Sequence, residues 1–178
     1  SDIGSNTLIL FPGIFPPFKV PLGPNRLEVI REFVRAGGGF LMCGGYMSFS
    51  GLHGMARYHG TPVEEILPVE ICDQDDRVEV PQGFKFKVAN LGHPIMAGIP
   101  WHEAKFQLLS DNKLKLKSGD TLLAEYSGDP IATVWDYEKG RTMGFAVDPA
   151  PHGVGDFKDW EYYPKFWIQV VKWLAKSI

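Results

Sequence analysis

An apolar run held between two groups of glycines constrains the fold of this chain more than any other feature. Glycines 37–39 end a stretch with apolar residues at helical spacing, and residues 40–43 then run straight into Gly44 and Gly45. A short apolar run that directly follows a helix is typical of a buried strand, in a sheet that is covered on both faces. In open α/β sheets, ligands bind where the carboxyl end of such a strand meets a loop. The sequence therefore places a candidate site at Cys43, the last residue of the run.

The remaining patterns predict a mixed order of helices and strands. Asn25 is a suitable cap for a helix that ends at Gly37, and Thr61 for a short helix over residues 62–67. Residues 1–6 read as a loop, and residues 12–24, with five prolines, as an irregular loop. The other predicted elements are strands at residues 69–71, 78–80, 84–88, 121–126, 131–137 and 142–147 and a last helix at residues 162–176. The last three strands should form an antiparallel meander, which favours a parallel sheet with an antiparallel extension.

Length, charge and cysteine usage exclude several classes of protein. The 178 residues fit one domain, residues 1–178, and the net charge of -3 without a basic run argues against nucleic acid as a partner. No apolar stretch approaches the roughly 18 residues of a membrane span. Two cysteines make neither a disulfide framework nor a CxxC pair, so we expect a reducing, cytoplasmic setting. No histidine or carboxylate spacing suggests a metal site, and we expect no cofactor.

Cys43 has two interpretations that the sequence leaves open. It could be a nucleophile at a strand-to-loop corner, where Gly44 and Gly45 leave room for a substrate to approach. It could also be an inert thiol at the end of a core strand, which the spacing alone favours because free cysteine is among the most buried residue types.

Two histidines are candidates for chemistry or binding. His152 directly follows a predicted strand, and a neutral imidazole there could take the proton of a thiol, with Asp148 or Asp156 orienting the ring. The alternative is a histidine that bonds backbone in a tight loop. His59 lies just before the short helix that Thr61 caps, where the polar groups of residues 58–62 could form an anion site at the helix start or serve only as ordinary capping, and the sequence leaves the role of His59 open.

A set of short motifs over nearly the whole chain resembles an uncharacterised family of glutamine amidotransferase-like proteins. These motifs are residues 1–6, 37–39, 44–49, 58–65, 67–69 and 148–152. The wider superfamily contains class I glutamine amidotransferases and trehalose-utilisation proteins. The resemblance implies a flavodoxin-like α/β fold, a three-layer sandwich around a mainly parallel sheet with an antiparallel extension.

The resemblance also implies roles for particular residues, with two departures. The nucleophile motif Gly-x-Cys-x-Gly falls on residues 41–45, where Leu41 replaces the first glycine. The base motif His-x-Glu falls on residues 152–154, where Val154 replaces the acid. The implied catalytic residues are Cys43, His152 and Asp148, and the implied oxyanion or pocket residues are Gly4, Ser5, Gly44, Gly45, Tyr46, Ser48 and His59.

Two functions follow as hypotheses. The chain is either a thiol-dependent amide hydrolase or amidotransferase acting on an unknown small molecule, or a catalytically inactive module of the same fold for small-molecule binding or assembly. The resemblance further implies strands before residue 1 that are absent from this chain. We therefore expect the exposed side of the sheet to be covered by a second copy of the chain or by a missing N-terminal segment.

Overall fold

Strands make up most of the regular structure. The computed structural model describes the backbone of residues 7–10 and the whole of residues 25–178. The strands are β1 (Thr7–Leu10), β2 (Gly39–Cys43), β3 (Val69–Ile71), β4 (Arg77–Phe84), β5 (Lys87–Val88), β6 (Leu108–Asn112), β7 (Leu114–Leu116), β8 (Thr121–Tyr126), β9 (Asp129–Tyr137) and β10 (Gly140–Phe145). The helices are α1 (Arg26–Arg35), α2 (Pro62–Ile66), α3 (Pro151–Val154) and α4 (Tyr163–Leu174), with 3₁₀ turns at Leu52–Gly54 and Phe157–Asp159. None of these described helices has the length and apolar character that crossing a bilayer requires.

The two early helices begin where their caps predict. The Asn25 side chain accepts a hydrogen bond of 3.1 Å from the Leu27 N–H, which satisfies one of the free donors at the start of α1. The Thr61 hydroxyl accepts from the Glu64 N–H at the start of α2, with Pro62 in the first helical position. After α1 the chain turns at Gly37, whose φ of 119° is a conformation that favours glycine.

The main sheet has six described strands in the order β1-β2-β10-β9-β8-β5. β2 pairs in parallel with β1 on one side and with β10 on the other, and β9, β8 and β5 continue the sheet through antiparallel pairs. Two small antiparallel sheets, β3 with β7 and β4 with β6, lie outside it. The prediction of an α/β fold whose parallel sheet carries an antiparallel extension is confirmed, and the meander is β8–β10.

The register of the main sheet assigns the helices to its two faces. Thr142 of β10 pairs with Phe40 of β2, and its hydroxyl donates to the Ile66 carbonyl, so α2 lies on the Phe40 face. Phe145 pairs with Cys43, and its ring contacts the rings of Phe166 and Trp167 in α4. Since paired residues project to the same face, the Cys43 side chain lies on the α4 face. Helices thus cover both faces, which makes the three layers that were predicted.

The strands between residues 77 and 116 differ from the prediction. β4 runs from Arg77 to Phe84, with a shift in its pairing to β6 between Glu79 and Phe84, instead of covering residues 78–80 alone. β5 is only Lys87–Val88 instead of residues 84–88. β6 and β7 were not predicted at all. The predictions for residues 1–6 and 12–24, including those for Gly4 and Ser5, lie outside the described residues.

Candidate functional site

Cys43 is the last residue of β2 and lies inside the protein. Its side chain has no exposed surface and belongs to the apolar core between the sheet and α4. The backbone is still paired with β10 at this residue, and the first positive φ after it is that of Gly45. Cys43 is therefore an ordinary strand residue, without the sharp strand-to-helix turn that exposes a nucleophile in hydrolases of the elbow type.

The surroundings of the Cys43 sulfur favour the neutral thiol. Burial raises the pKa of Cys43 far above its usual range, and the negative charge of Asp148 raises that pKa further. Among the described residues, no hydrogen bond is made by the sulfur. Burial also raises the pKa of Tyr163, at the start of α4, and the nearby Cys43 sulfur contributes to that shift. A thiolate, which is the reactive form, is thus disfavoured at this position.

The N–H groups of the two glycines after Cys43 both make hydrogen bonds within the protein. The Gly44 N–H donates to the carbonyls of Phe145 and Val147, at 2.7 and 3.2 Å. The Gly45 N–H donates to the Asn112 side-chain oxygen at 2.7 Å. An oxyanion hole needs free donors aimed at the reacting oxygen. In this conformation neither N–H group is free to stabilise an oxyanion.

Asp76 and Asn112 hold the loop that follows β2, residues 44–51. The Asn112 side chain bonds both backbone groups of Gly45. Its oxygen accepts from the Gly45 N–H, and its nitrogen donates to the Gly45 carbonyl at 3.3 Å. The same nitrogen donates to the buried Asp76 carboxylate at 2.7 Å, which accepts further bonds from the N–H groups of Ser50 and Gly51, both at 2.8 Å. A fully bonded buried network of this kind fixes a unique loop conformation.

His152 lies at the same end of the sheet, on α3. Its Nε2 atom is 3.0 Å from Oδ2 of Asp148, and the other Asp148 oxygen accepts a hydrogen bond from the Ala150 N–H. The carboxylate thus fixes the imidazole against the end of β10, while about half of the His152 side chain stays exposed. Asp156, the other acid considered for this role, instead accepts a bond from the Gln107 N–H.

Tyr46 joins the loop to His152. The centroids of the two rings are 5.4 Å apart, and the Arg77 guanidinium carbon lies 5.3 Å from the centre of the Tyr46 ring. The Glu79 carboxylate beside the phenol is the main cause of a raised Tyr46 pKa. These contacts leave the Tyr46 hydroxyl protonated and place charged groups on a surface that faces solvent.

The other predicted pocket residues have structural partners. The Ser48 hydroxyl donates to the Cys43 carbonyl and so ties the loop after β2 to the end of that strand. His59 contacts the Ile71 carbonyl through Nδ1 at 2.6 Å and lies near Glu64, so its described partners belong to α2 and β3. The structure therefore brings Tyr46, Asp148 and His152 together at the surface. Cys43 lies on the α4 face beneath them, and the His59 contacts lie elsewhere.

Asp76 and Asn112 are the residues that sequence reasoning missed. Asp76 directly precedes β4, and Asn112 is the last residue of β6, a strand that was not predicted. The only sequence signal is the polar run Ser110–Asp111–Asn112, which is buried despite its polarity. Within the described residues, no three His, Cys, Asp or Glu side chains are arranged to hold a metal ion.

The family of the chain follows from comparison with known proteins. Residues 1–176 match the model of a family described as "Putative glutamine amidotransferase". The chain belongs to this family. No curated protein sequence matches it significantly.

Solved structures show the same amidotransferase-like fold. The cytoplasmic protein STM1381 of Salmonella typhimurium LT2 is 40% identical, with a TM-score of 0.78 over 85% of this chain and 61% of that one. The cytoplasmic protein STM3548 of Salmonella typhimurium is 32% identical, with a TM-score of 0.81 over 88% of this chain and 63% of that one. The chain thus spans about three fifths of the length of either relative. A ThuA-like protein from Parabacteroides merdae, 16% identical over 96% of this chain and 70% of that one, shares the fold with a TM-score of 0.53.

Proposed function

We propose that this chain is an amidotransferase-fold module for binding or assembly in which Cys43 is a structural residue and not a nucleophile. The observation that carries the proposal is the orientation of the Cys43 side chain. It projects to the α4 face, has no exposed surface, and has a pKa raised by burial. A nucleophilic thiol requires access and a lowered pKa, and this position offers neither.

The neighbouring glycines support the same conclusion. The Gly44 N–H donates to carbonyls at the end of β10, and the Gly45 N–H donates to the Asn112 side chain. The loop they begin is fixed by a buried network, so exposing Cys43 would require breaking several buried hydrogen bonds together. Leu41 and Val154, at the places of the family's glycine and glutamate, agree with a fold kept after its chemistry was lost.

Alkylation of the native chain tests the proposal. With iodoacetamide near neutral pH, Cys72, which is exposed, should be labelled at the rate of a free thiol, and Cys43 at least about 100-fold more slowly. In denaturant both thiols should react alike, which controls for intrinsic reactivity. Peptide mass spectrometry separates the two sites.

Two variants sharpen the result. His152→Ala should leave the labelling of both thiols unchanged, and neither the chain nor Cys43→Ala should release ammonia from glutamine above the buffer rate. Native Cys43 that reacts faster than Cys72, and loses this advantage in His152→Ala, would refute the structural role.

The second candidate is thiol-dependent amide hydrolysis with Cys43 as nucleophile and His152 as base. One observation favours it: the Asp148 carboxylate holds the His152 ring at 3.0 Å, as an orienting acid would. This function requires a movement that exposes the Cys43 sulfur to His152. The same alkylation experiment decides between the two functions.

A cytoplasmic location accompanies either function as a proposal. It is supported by the two Salmonella relatives, which are both named cytoplasmic proteins. The two unpaired cysteines of this chain agree with a reducing compartment.

A further inference from the structure

A groove lies beside β5, at the other end of the main sheet from β1. The strands β10, β9 and β8 separate β5 from β2, which carries Cys43. The groove is lined by residues 85–88, by Leu91 and by residues 99–102. Its volume is about 440 Å³, within the range of small-molecule sites. It is therefore a site of its own, and large enough to hold the body of a small organic ligand.

The apolar floor of the groove is fixed before any ligand arrives. Ile99 and Trp101 are buried, and the Trp101 indole N–H donates to the Met96 carbonyl at 2.9 Å. The centroid of the Trp101 ring is 5.5 Å from that of Phe86. Leu91, by contrast, is 62% exposed, the highest value among the large apolar side chains of residues 25–178. A ligand that covers Leu91 removes apolar surface from water without rearranging the floor.

The charged side chains that line the groove are all basic. They are Lys85, Lys87 and His102, and no acid of the described residues lines it. The Lys85 Nζ atom donates to the Ala104 carbonyl and makes no ion pair with any residue of the described range 25–178. An ammonium group has three N–H donors, so Lys85 keeps two of them for a ligand. The carbonyl thus holds an unneutralised positive charge beside the apolar floor.

The other two basic residues pair with acids that do not line the groove. The Lys87 Nζ atom lies 3.6 Å from Glu125, and the His102 Nε2 atom lies 3.2 Å from Glu103. The side chains of Lys87 and His102 are both 81% exposed, and ion pairs in that setting are weak. Neither pair involves Lys85, so the groove keeps an excess of positive charge.

We propose that this groove binds a small organic anion, a carboxylate carried on an apolar body. The carboxylate accepts from the two remaining N–H groups of Lys85, and the apolar body covers Leu91 and lies on Ile99 and Trp101. An organic anion fits better than inorganic phosphate because most of the lining is apolar. The proposal goes beyond the function proposed above, because it holds whichever role Cys43 has.

Three probes that share one ring test the charge preference. Benzoate, neutral benzamide and benzylamine are titrated separately into the full chain near pH 7, with binding followed by amide chemical shifts in NMR. Benzoate should bind at least about five-fold more tightly than benzamide, and benzylamine should bind least, as expected for a site with excess positive charge. Added salt should weaken benzoate binding and leave benzamide binding unchanged. The shifted amides should lie at residues 85–91 and 99–102.

Two substitutions separate the charge from the apolar floor. Lys85→Gln should weaken benzoate binding about five-fold and leave benzamide binding unchanged, because it removes the charge and keeps a donor for Ala104. Leu91→Ser should weaken both probes to the same extent, because both cover this side chain. Lys115→Gln is the matched control, since Lys115 is an exposed lysine that pairs with Glu70 outside the groove. It should change neither affinity.

Lys87→Gln is a second charge variant, at a side chain so exposed that folding does not depend on it. It should weaken benzoate binding by a smaller factor than Lys85→Gln. Equal binding of benzoate and benzamide, shifts outside the groove, or unchanged benzoate affinity in both lysine variants would each overturn the proposal. None of these outcomes affects the alkylation of Cys43, so failure here is distinguishable from failure of the proposed function.

Discussion

At the scale of single residues, one buried acid fixes the loop after β2. The Asp76 carboxylate accepts bonds from Ser50, Gly51 and Asn112, and Asn112 in turn brackets Gly45. Asp76→Ala should lower the free energy of unfolding by roughly 2–4 kcal/mol, because several buried donors lose their acceptor at once. Urea unfolding measures the loss.

A neighbouring acid provides the control for Asp76. Asp73 is exposed, and its side chain makes no hydrogen bond or ion pair with the described residues. Asp73→Ala should change stability by less than about 0.5 kcal/mol. If both variants unfold at the same urea concentration, the network contributes nothing and the loop is held by packing alone.

Residue-scale prediction from sequence reached its limit at Cys43. Residues 40–43 are apolar throughout, so the pattern does not show which side chains face which layer. The pairing of Cys43 with Phe145, more than 100 residues away in the chain, decides that the thiol faces α4. By contrast, the sequence predicts Asp148 as one of two acids that could orient His152, because both residues follow one strand within a few positions.

At the scale of elements, β6 buries an ionisable group in its interior, and stability should therefore depend on pH. The pKa of Asp111 is raised from an ordinary value near 4 to about 7, so the folded chain holds this proton over a pH range in which the unfolded chain has lost it. The stabilising contribution is complete below about pH 4 and is lost as the pH rises towards 7. Stability should therefore fall across this window.

Asp111→Asn isolates this contribution. At about pH 8 the variant should be more stable than the natural chain by roughly 1–3 kcal/mol, since a buried charge without a partner is replaced by a neutral amide. At about pH 4 the two should be nearly equal. Urea unfolding at both pH values measures the difference. Burial also raises the pKa of Asp120, to about 6, so the stability of both the natural chain and Asp111→Asn should still fall somewhat as the pH rises. If the stability difference between Asp111→Asn and the natural chain is the same at both pH values, the raised pKa of Asp111 is wrong.

The elements that sequence patterns predicted are those with local signals. Capping residues and helical spacing mark α1 and α2, and alternation with tight turns marks the meander β8–β10. β6 and the second half of β4 were not predicted, for opposite reasons. Residues 110–112 of β6 are polar but buried, and of the three Asn112 bonds the loop after β2. Residues 81–83 of β4 contain a proline and a glycine that usually end a strand, yet β4 continues through them because its pairing with β6 shifts register there.

At the scale of the whole molecule, the outer edge of β1 is the feature that bears on assembly. Among the described strands, β1 pairs only with β2, so its other edge has no partner there. The two Salmonella relatives also have about two fifths of their length outside the matched region. An unpaired edge next to a buried parallel strand is a template for pairing with another chain.

We therefore predict that this chain associates with itself in solution through the side of the sheet that begins at β1. The backbone N–H and C=O groups along such an edge are free to pair with the edge strand of another chain, which favours association. Light scattering should give at least twice the monomer mass, and hydrogen exchange at residues 7–10 should slow as the chain concentration rises. A monodisperse monomer that unfolds cooperatively, with exchange at residues 7–10 independent of concentration, would show that the chain covers this edge by itself.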